Sequence, residues 1–436
     1  MLKASARNWR CILSWLALIG LSSHLFGTEW VQEAYLWQRQ WTPQVVESVR
    51  ESSPDLKGLQ ILAAEISWDD TGQPHVFQTS YDAQTLKTLS IPLTLVMRIG
   101  PYSRPFSKDD TAAKAILAQA ERLLTTAQAQ GIEVTEFQVD FDCAESKLGG
   151  YREWLLALRQ TLQTTFPNVG LSFTALPVWL RHTSEFRQLA EAADSFVLQV
   201  HSLEKPTSFD APITLCDTEK SLAWITQAST VGTPFRVALP TYGYEVVFDA
   251  EGHFKALVAE GPRPQWTEDT RIRIVRSDPT EMACLAQQLS TTPPTHCQGI
   301  IWFRLPVAGD RLNWSPRTLQ TILEGKIPTN GLSVDAQWSE SSDGLATIYL
   351  ENTGDTALPF PPEISLSWDS APPATPVAWD SNGIFSITVN RATRSAHIST
   401  TALPASATLA PGQRLALGWL RFRQPVSLQV HATDVF

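Results

Sequence analysis

The sequence contains no CxxC pair, no HExxH and no close cluster of His and Cys. The usual short metal-ligand spacings are therefore missing, and no metal is expected. It also lacks a Walker loop, a Gly-rich phosphate loop after the first strand-like run, and a Gly-x-Ser-x-Gly elbow. These absences exclude the common nucleotide folds and α/β-hydrolase chemistry, so no cofactor is expected. Basic charge is scarce, with 34 Lys and Arg against 44 Asp and Glu. A nucleic-acid surface must neutralise phosphates with basic patches, so the balance argues against a nucleic-acid partner and against docking on anionic lipid. Long apolar runs are scarce as well. Beyond residue 27 no stretch approaches the roughly 20 apolar residues of a spanning helix. There is no internal repeat and no low-complexity tract.

Residues 1–27 read as an export signal. Lys3, Arg7 and Arg10 form a basic start, and Cys11 to Ser23 form an apolar stretch of h-region length. The expected location is periplasmic or extracellular. His24-Leu25-Phe26-Gly27 is not a clean cleavage pattern, so an uncleaved N-terminal anchor is the alternative and the only membrane attachment expected. Cys11 lies at the start of the apolar run, not after it, and is not placed for lipid attachment. Four cysteines follow the leader, which permits disulfides in an exported chain. Proximity favours Cys284–Cys297, with Cys143–Cys216 as the second pair. Buried free thiols are the alternative.

From about residue 32 to 325 the chain alternates short apolar runs with amphipathic stretches. The runs predict eight strands: Ala34–Gln38, Leu59–Ile66, Leu93–Gly100, Val134–Asp142, Gly170–Pro177, Ser195–Ser202, Phe235–Tyr242 and Gly299–Pro306. Helical stripes lie between several of them, most clearly in Asp110–Gln130 and Tyr151–Leu162. Eight such units predict an α/β fold, a (β/α)8 barrel spanning 28–327, with a doubly wound open sheet as the alternative. Beyond about residue 328 the pattern changes to period-two runs such as Ala346-Thr-Ile-Tyr-Leu and Ile364-Ser-Leu-Ser-Trp. These predict an all-β sandwich of immunoglobulin-like size over 331–436. Ala371 to Pro376 reads as a loop.

The most informative run is Phe137-Gln-Val-Asp-Phe-Asp-Cys143. Strand alternation puts Gln138, Asp140 and Asp142 on one side. In a barrel that side is the lumen, and the C-terminal strand ends carry the chemistry. Paired carboxylates divide the work of glycosidic cleavage, one holding a proton and the other stabilising positive charge. Asp142 and Asp140 are therefore the candidate catalytic residues; anchoring a salt-bridge network is their structural alternative. Gln199 and His201 share a face at the end of strand six, and Tyr242 ends strand seven. Trp302 and Arg304 share a face of strand eight, the indole as a surface for a sugar ring and the guanidinium as a partner for an acid. Glu65 and Arg98 end strands two and three, and Arg98 pairing with a barrel acid would be structural. Each of the others also has a bland reading as a hydrogen-bonder, rim aromatic or core residue. Of 16 tryptophans, ten fall in the barrel segment, which favours a glycan as partner. Trp154 and Trp224 read instead as helix faces packed on the barrel.

These segments, with Ala34-Tyr-Leu-Trp-Gln-Arg-Gln-Trp-Thr42, Leu148-Gly-Gly-Tyr-Arg-Glu-Trp154, Thr174-Ala-Leu-Pro177, Phe235-Arg-Val-Ala-Leu-Pro-Thr-Tyr-Gly243 and Gly299-Ile-Ile-Trp-Phe-Arg-Leu-Pro306, resemble in order an uncharacterised bacterial family with a glycosidase-like barrel. That resemblance covers nearly all of residues 34–325 and implies the barrel without an activity. More distantly, the barrel is similar to the chitinase-like glycoside hydrolases. Their strand four carries Asp-x-x-Asp-x-Asp-x-Glu, in which the Glu is the general acid and the last Asp assists the substrate's acetamido group. Asp140 and Asp142 match its second and third Asp; Phe137 replaces the first, and Ala144 stands where the Glu belongs. Glu145 comes one residue late. Pro240-Thr-Tyr-Gly243 looks like the strand-seven segment of that superfamily. On strand eight either Trp302 or Phe303 falls at its sugar-stacking place. The resemblance implies a glycan-directed site in which the usual general acid is missing.

Overall fold

The computed structural model describes residues 30–432 apart from 108–109, 203–204, 260–263, 342–343, 371–373, 401–406 and 424–425. The expected export segment and Cys11 lie outside the described residues, as does the start of the Ala371–Pro376 loop.

Eight parallel strands close into a barrel: β1 (Val31–Leu36), β2 (Leu59–Trp68), β3 (Leu93–Ile99), β4 (Glu136–Phe141), β5 (Gly170–Ala175), β6 (Ser195–Gln199), β7 (Phe235–Pro240) and β8 (Cys297–Phe303). Closure comes from β1, which pairs with β8 at Val31↔Gly299 and with β2 at Ala34↔Leu59. Gly299 is required at this seam, because a Cβ there would lie 2.1 Å from the Val31 carbonyl oxygen. Each predicted strand overlaps an observed one; β4 ends at Phe141, so Asp142 begins the following loop.

Eight helices accompany the strands among the described residues: α1 (Pro43–Ser52), α2 (Ala83–Thr88), α3 (Thr111–Ala129), α4 (Leu148–Thr165), α5 (Thr183–Ala190), α6 (Thr218–Ala228), α7 (Pro279–Thr291) and α8 (Pro316–Leu323). Their starts are written locally. Asp82, Asp110, Asp217, Asp278 and Ser315 accept hydrogen bonds from the first-turn amides of α2, α3, α6, α7 and α8. Pro43, Pro279 and Pro316 occupy the first turn, where no donor is lost. The buried stripe of α3, Ala113, Ile116, Ala120, Leu123 and Ala127, packs on the outer barrel face, as does Tyr151, Trp154, Leu158 and Leu162 of α4.

The lumen is filled in layers. At its base Arg236 bridges Glu33 (2.7 Å) and Glu136 (2.6 Å), and Gln60 donates to Glu33 (2.9 Å). Above them Tyr35 Oη donates to Gln138 Oε1 (2.5 Å), and Gln138 donates to Ser172 (3.0 Å). Leu62, Val96, Val197, Ala238 and Ile301 form an apolar belt with Tyr35 and Trp37. Side chains of β4 on the Gln138–Asp140 parity point inward, as alternation requires.

Two features depart from a plain barrel. Strand Pro74–Gln78 folds back antiparallel on β2. Between β7 and α7 lies a three-stranded antiparallel sheet, Gly243–Phe248 flanked by Phe254–Val258 and Arg271–Arg276. After α8 the chain forms antiparallel sheets. One contains Leu332–Trp338, Leu345–Asn352, Arg414–Arg421 and Ala378–Ser381; another contains Phe385–Asn390, Ser395–Thr400, Glu363–Asp369 and Ser427–Ala432. Ile348, Leu350, Leu417 and Leu420 of the first share a core with Ile364, Leu366, Trp368 and Ile398 of the second.

Neither expected disulfide forms. Cys143, Cys216 and Cys297 are buried free thiols. The Cys216 thiol lies 3.5 Å from Ser221 Oγ and that of Cys297 3.9 Å from the Gly299 carbonyl. Burial pushes Cys143 and Cys297 up to about 12 and Cys216 to about 11, so all three stay protonated and inert. Among the described residues no helix is long and apolar enough to cross a membrane.

Candidate active site

A cavity of about 730 Å³ opens at the C-terminal end of the barrel strands. Its acids come from the end of β4. Asp140 is 9% exposed, and its Oδ1 accepts from Thr174 Oγ1 (2.7 Å) and Gln199 Nε2 (3.1 Å). Strands β4, β5 and β6 thus converge on one carboxylate. Its Oδ2 lies 3.9 Å from Arg98 Nε, at the end of β3. Burial, then repulsion from Asp142, lifts Asp140 to about 6, against the pull of Thr174, Arg98 and Gln199. Asp142 lines the same cavity but is open to solvent. Partial burial raises its pKa, with Arg98 opposing. Solvent screens that effect, so of the two acids Asp140 is the one whose protonated form burial favours more.

Aromatic side chains form much of the remaining wall. Tyr35 and Trp37 project from β1, Tyr242 and Tyr244 from the end of β7 and the start of the inserted sheet, and Phe303 from β8. His201, 8% exposed, stacks on Phe303 with ring centroids 5.2 Å apart. Its Nδ1 shares a hydrogen bond with Tyr242 Oη (3.3 Å), which in turn meets Tyr244 Oη (3.2 Å). Burial lowers His201 to about 4, so the imidazole is neutral near pH 7 and works as a hydrogen-bonding group rather than a cation. On the far side Arg181 and Trp224 line the cavity, brought together by Gln227 Nε2 donating to the Leu180 carbonyl (2.9 Å).

Of the residues predicted from sequence, Asp140, Asp142, Gln199, His201 and Tyr242 gather here. Trp302 and Arg304 do not, because strand parity sends them through the wall. Trp302 is fully buried outside the lumen, donates to Gln32 Oε1 (3.1 Å) and packs 5.9 Å from Trp314. Arg304 is buried against Asp310 (2.5 Å). Phe303, one residue between them, takes the lumen place. Glu65 stays at the rim, held by Arg39 at 2.6 Å and 4.0 Å from Arg98. Glu145 turns away from the cavity to His182 (3.3 Å), and Ala144 is exposed. Trp224 does more than pack on the barrel, since it also forms cavity wall.

Tyr35, Trp37, Thr174, Arg181 and Tyr244 line the cavity without having been expected there, while Phe303 was the alternative to Trp302 on strand eight. Parity along β1 and β8 contains the signal for Tyr35, Trp37 and Phe303. Arg181 and Tyr244 lie outside barrel strands, where no periodicity points inward. Away from the cavity, ligand atoms of Asp249, Glu251 and His253 come within 4.8 Å at the tip of the inserted hairpin. Asp249 there accepts from the His253 amide (2.7 Å), so the turn's own hydrogen bonding accounts for the grouping.

No curated protein matches the sequence. Among solved structures, the chain is similar to the spore cortex-lytic enzyme SleL of Bacillus megaterium QM B1551, at 14% identity over 71% of this chain and 76% of that one, with a TM-score of 0.45. A chitinase from Chromobacterium violaceum ATCC 12472 gives 13% identity over 68% and 98%, with a TM-score of 0.46. A chitinase from Bacteroides thetaiotaomicron gives 13% over 64% and 90%, at 0.45. Residues 92–308, from the start of β3 to just beyond β8, match the family described as Domain of unknown function (DUF3142).

Proposed function

We propose that the cavity at the barrel mouth binds a glycan and cleaves a glycosidic bond with Asp140 and Asp142. The observation that carries this reading is the pair itself: two carboxylates repelling each other within one aromatic-lined cavity, one buried and raised to about 6. Such a pair divides naturally into a proton holder and an ionised partner. Asp140 holds the proton and passes it to the departing glycosidic oxygen; a water then adds at the sugar carbon and returns a proton to Asp140. Asp142, open to the cavity, faces the substrate and stabilises the positive charge that develops at the sugar carbon. Trp37, Trp224 and Phe303 offer faces for sugar rings, and neutral His201 and Tyr242 offer hydrogen bonds to hydroxyls. The basic and apolar start of the chain supports export, which would place the protein among extracytoplasmic polysaccharides.

A second reading is a non-catalytic glycan-binding or envelope-assembly protein on the same barrel. It is favoured by Ala144, which is exposed where the resembling hydrolases carry their general acid, and by Glu145, which pairs with His182 outside the cavity. Incubation with a polysaccharide panel followed by mass spectrometry separates the two. Released oligosaccharides support cleavage; glycan binding without any product supports the second reading.

A further inference from the structure

Resting on the glycan reading above, we infer that the cavity selects an acidic glycan, one bearing a carboxylate or another anionic group on its sugars, and that Arg181 is the residue that recognises this group. Among the described residues, the charged side chains lining the cavity are Arg98, Arg181, Asp140 and Asp142. Arg98 is committed to acids, with Asp140 at 3.9 Å and Glu65 at 4.0 Å. Arg181 makes no hydrogen bond and no ion pair among the described residues, although it lines the same cavity. It is the last residue of the Pro177–Arg181 turn, which Gln227 ties to α6. The backbone that carries the guanidinium is therefore fixed, and the end of the side chain is left unspent.

Charge balance points the same way. A site that donates a proton must hold one of its two acids protonated before reaction. In that state the described side chains lining the cavity present two guanidiniums against one carboxylate, an excess of one positive charge to which the rim pair of Arg39 and Glu65 adds nothing, although the whole chain has more acidic than basic residues. A neutral sugar leaves that charge uncompensated in a partly enclosed space. An anionic sugar neutralises it, and guanidinium geometry suits a planar carboxylate better than an ammonium would. His201 does not change the count, because burial keeps it neutral.

The test is calorimetric binding of uronate oligosaccharides (galacturonate, mannuronate) and of sulfated oligosaccharides, against neutral cello- and chito-oligosaccharides of equal length, to wild type and to Arg181→Gln. Mass spectrometry of the cell contents after each titration confirms that no ligand was consumed. The expected result is at least tenfold tighter binding of an anionic series, reduced to the neutral level by Arg181→Gln and weakened by added salt. The uronate and sulfate arms show which anion is recognised. Equal or tighter binding of the neutral series overturns the inference while leaving the glycan reading intact. A preference for the anionic series that survives Arg181→Gln overturns the role of Arg181. Binding of neither series removes the glycan reading and this inference with it.

Discussion

The rings of His201 and Phe303 stack 24° from parallel on the cavity wall, while the residue before Phe303, Trp302, is buried on the other side of the same strand. The two neighbours therefore respond differently to truncation. Trp302→Ala empties a large volume in the helix-facing core and is expected to cost about 3–5 kcal/mol of stability, with glycan affinity unchanged in molecules that remain folded. Phe303→Ala, at a partly exposed position, is expected to lose less stability and most ligand affinity. Urea unfolding paired with calorimetric titration checks both.

Activity is expected to follow the protonation of Asp140. A proton donor raised to about 6 is filled below that pH and empty above it. The pH–rate profile should fall on the alkaline side with a midpoint near 6. Thr174→Val removes a hydrogen bond to the ionised form, so it should move that midpoint upward. A midpoint that stays put in Thr174→Val would show that another group sets the limb.

Stability should show the same group from the other side. The folded pKa of Asp140 lies above its ordinary 3.8, so its contribution is fully present below about pH 3.8 and lost as pH rises through about 6. The gap corresponds to at most about 3 kcal/mol. Asp140→Asn should therefore be more stable than wild type at pH 8, with the advantage shrinking towards pH 4. Thermal melts at the two pH values measure this.

Beneath the cavity, Arg236 neutralises Glu33 and Glu136 inside the lumen. Arg236→Ala strands two inward carboxylates and is expected to destabilise by about 3–5 kcal/mol. Adding Glu33→Gln should restore part of the loss, as seen by denaturant unfolding of the single and double variants.

Much of this architecture is legible in the sequence because a barrel repeats one signal. Short apolar runs such as Leu93–Ile99, followed by a capped stripe such as Thr111–Ala129 after Asp110, state strand and helix locally. Site residues are legible only where parity is certain. Along β4 it is, and Gln138 and Asp140 point inward as expected. On β8, Trp302 draws attention by its size, but one residue of register decides the face, and hydrogen bonding to Gln32 and packing on Trp314 lie far along the chain. The inserted sheet carries its own alternation in Arg271-Ile-Arg-Ile-Val-Arg276, yet nothing local says that its first strand brings Tyr244 to the cavity. Cysteine spacing likewise carries no information on which thiols meet, and burial left those of Cys143, Cys216 and Cys297 apart.

The central claim is that Asp142 is the carboxylate that meets the substrate. Its most direct test is turnover of Asp142→Asn on any polysaccharide that the wild type cleaves, with product measured by mass spectrometry and folding confirmed by an unchanged melt. Turnover is expected to drop about 100- to 10,000-fold while glycan binding persists. Undiminished turnover in a folded Asp142→Asn protein would contradict the account.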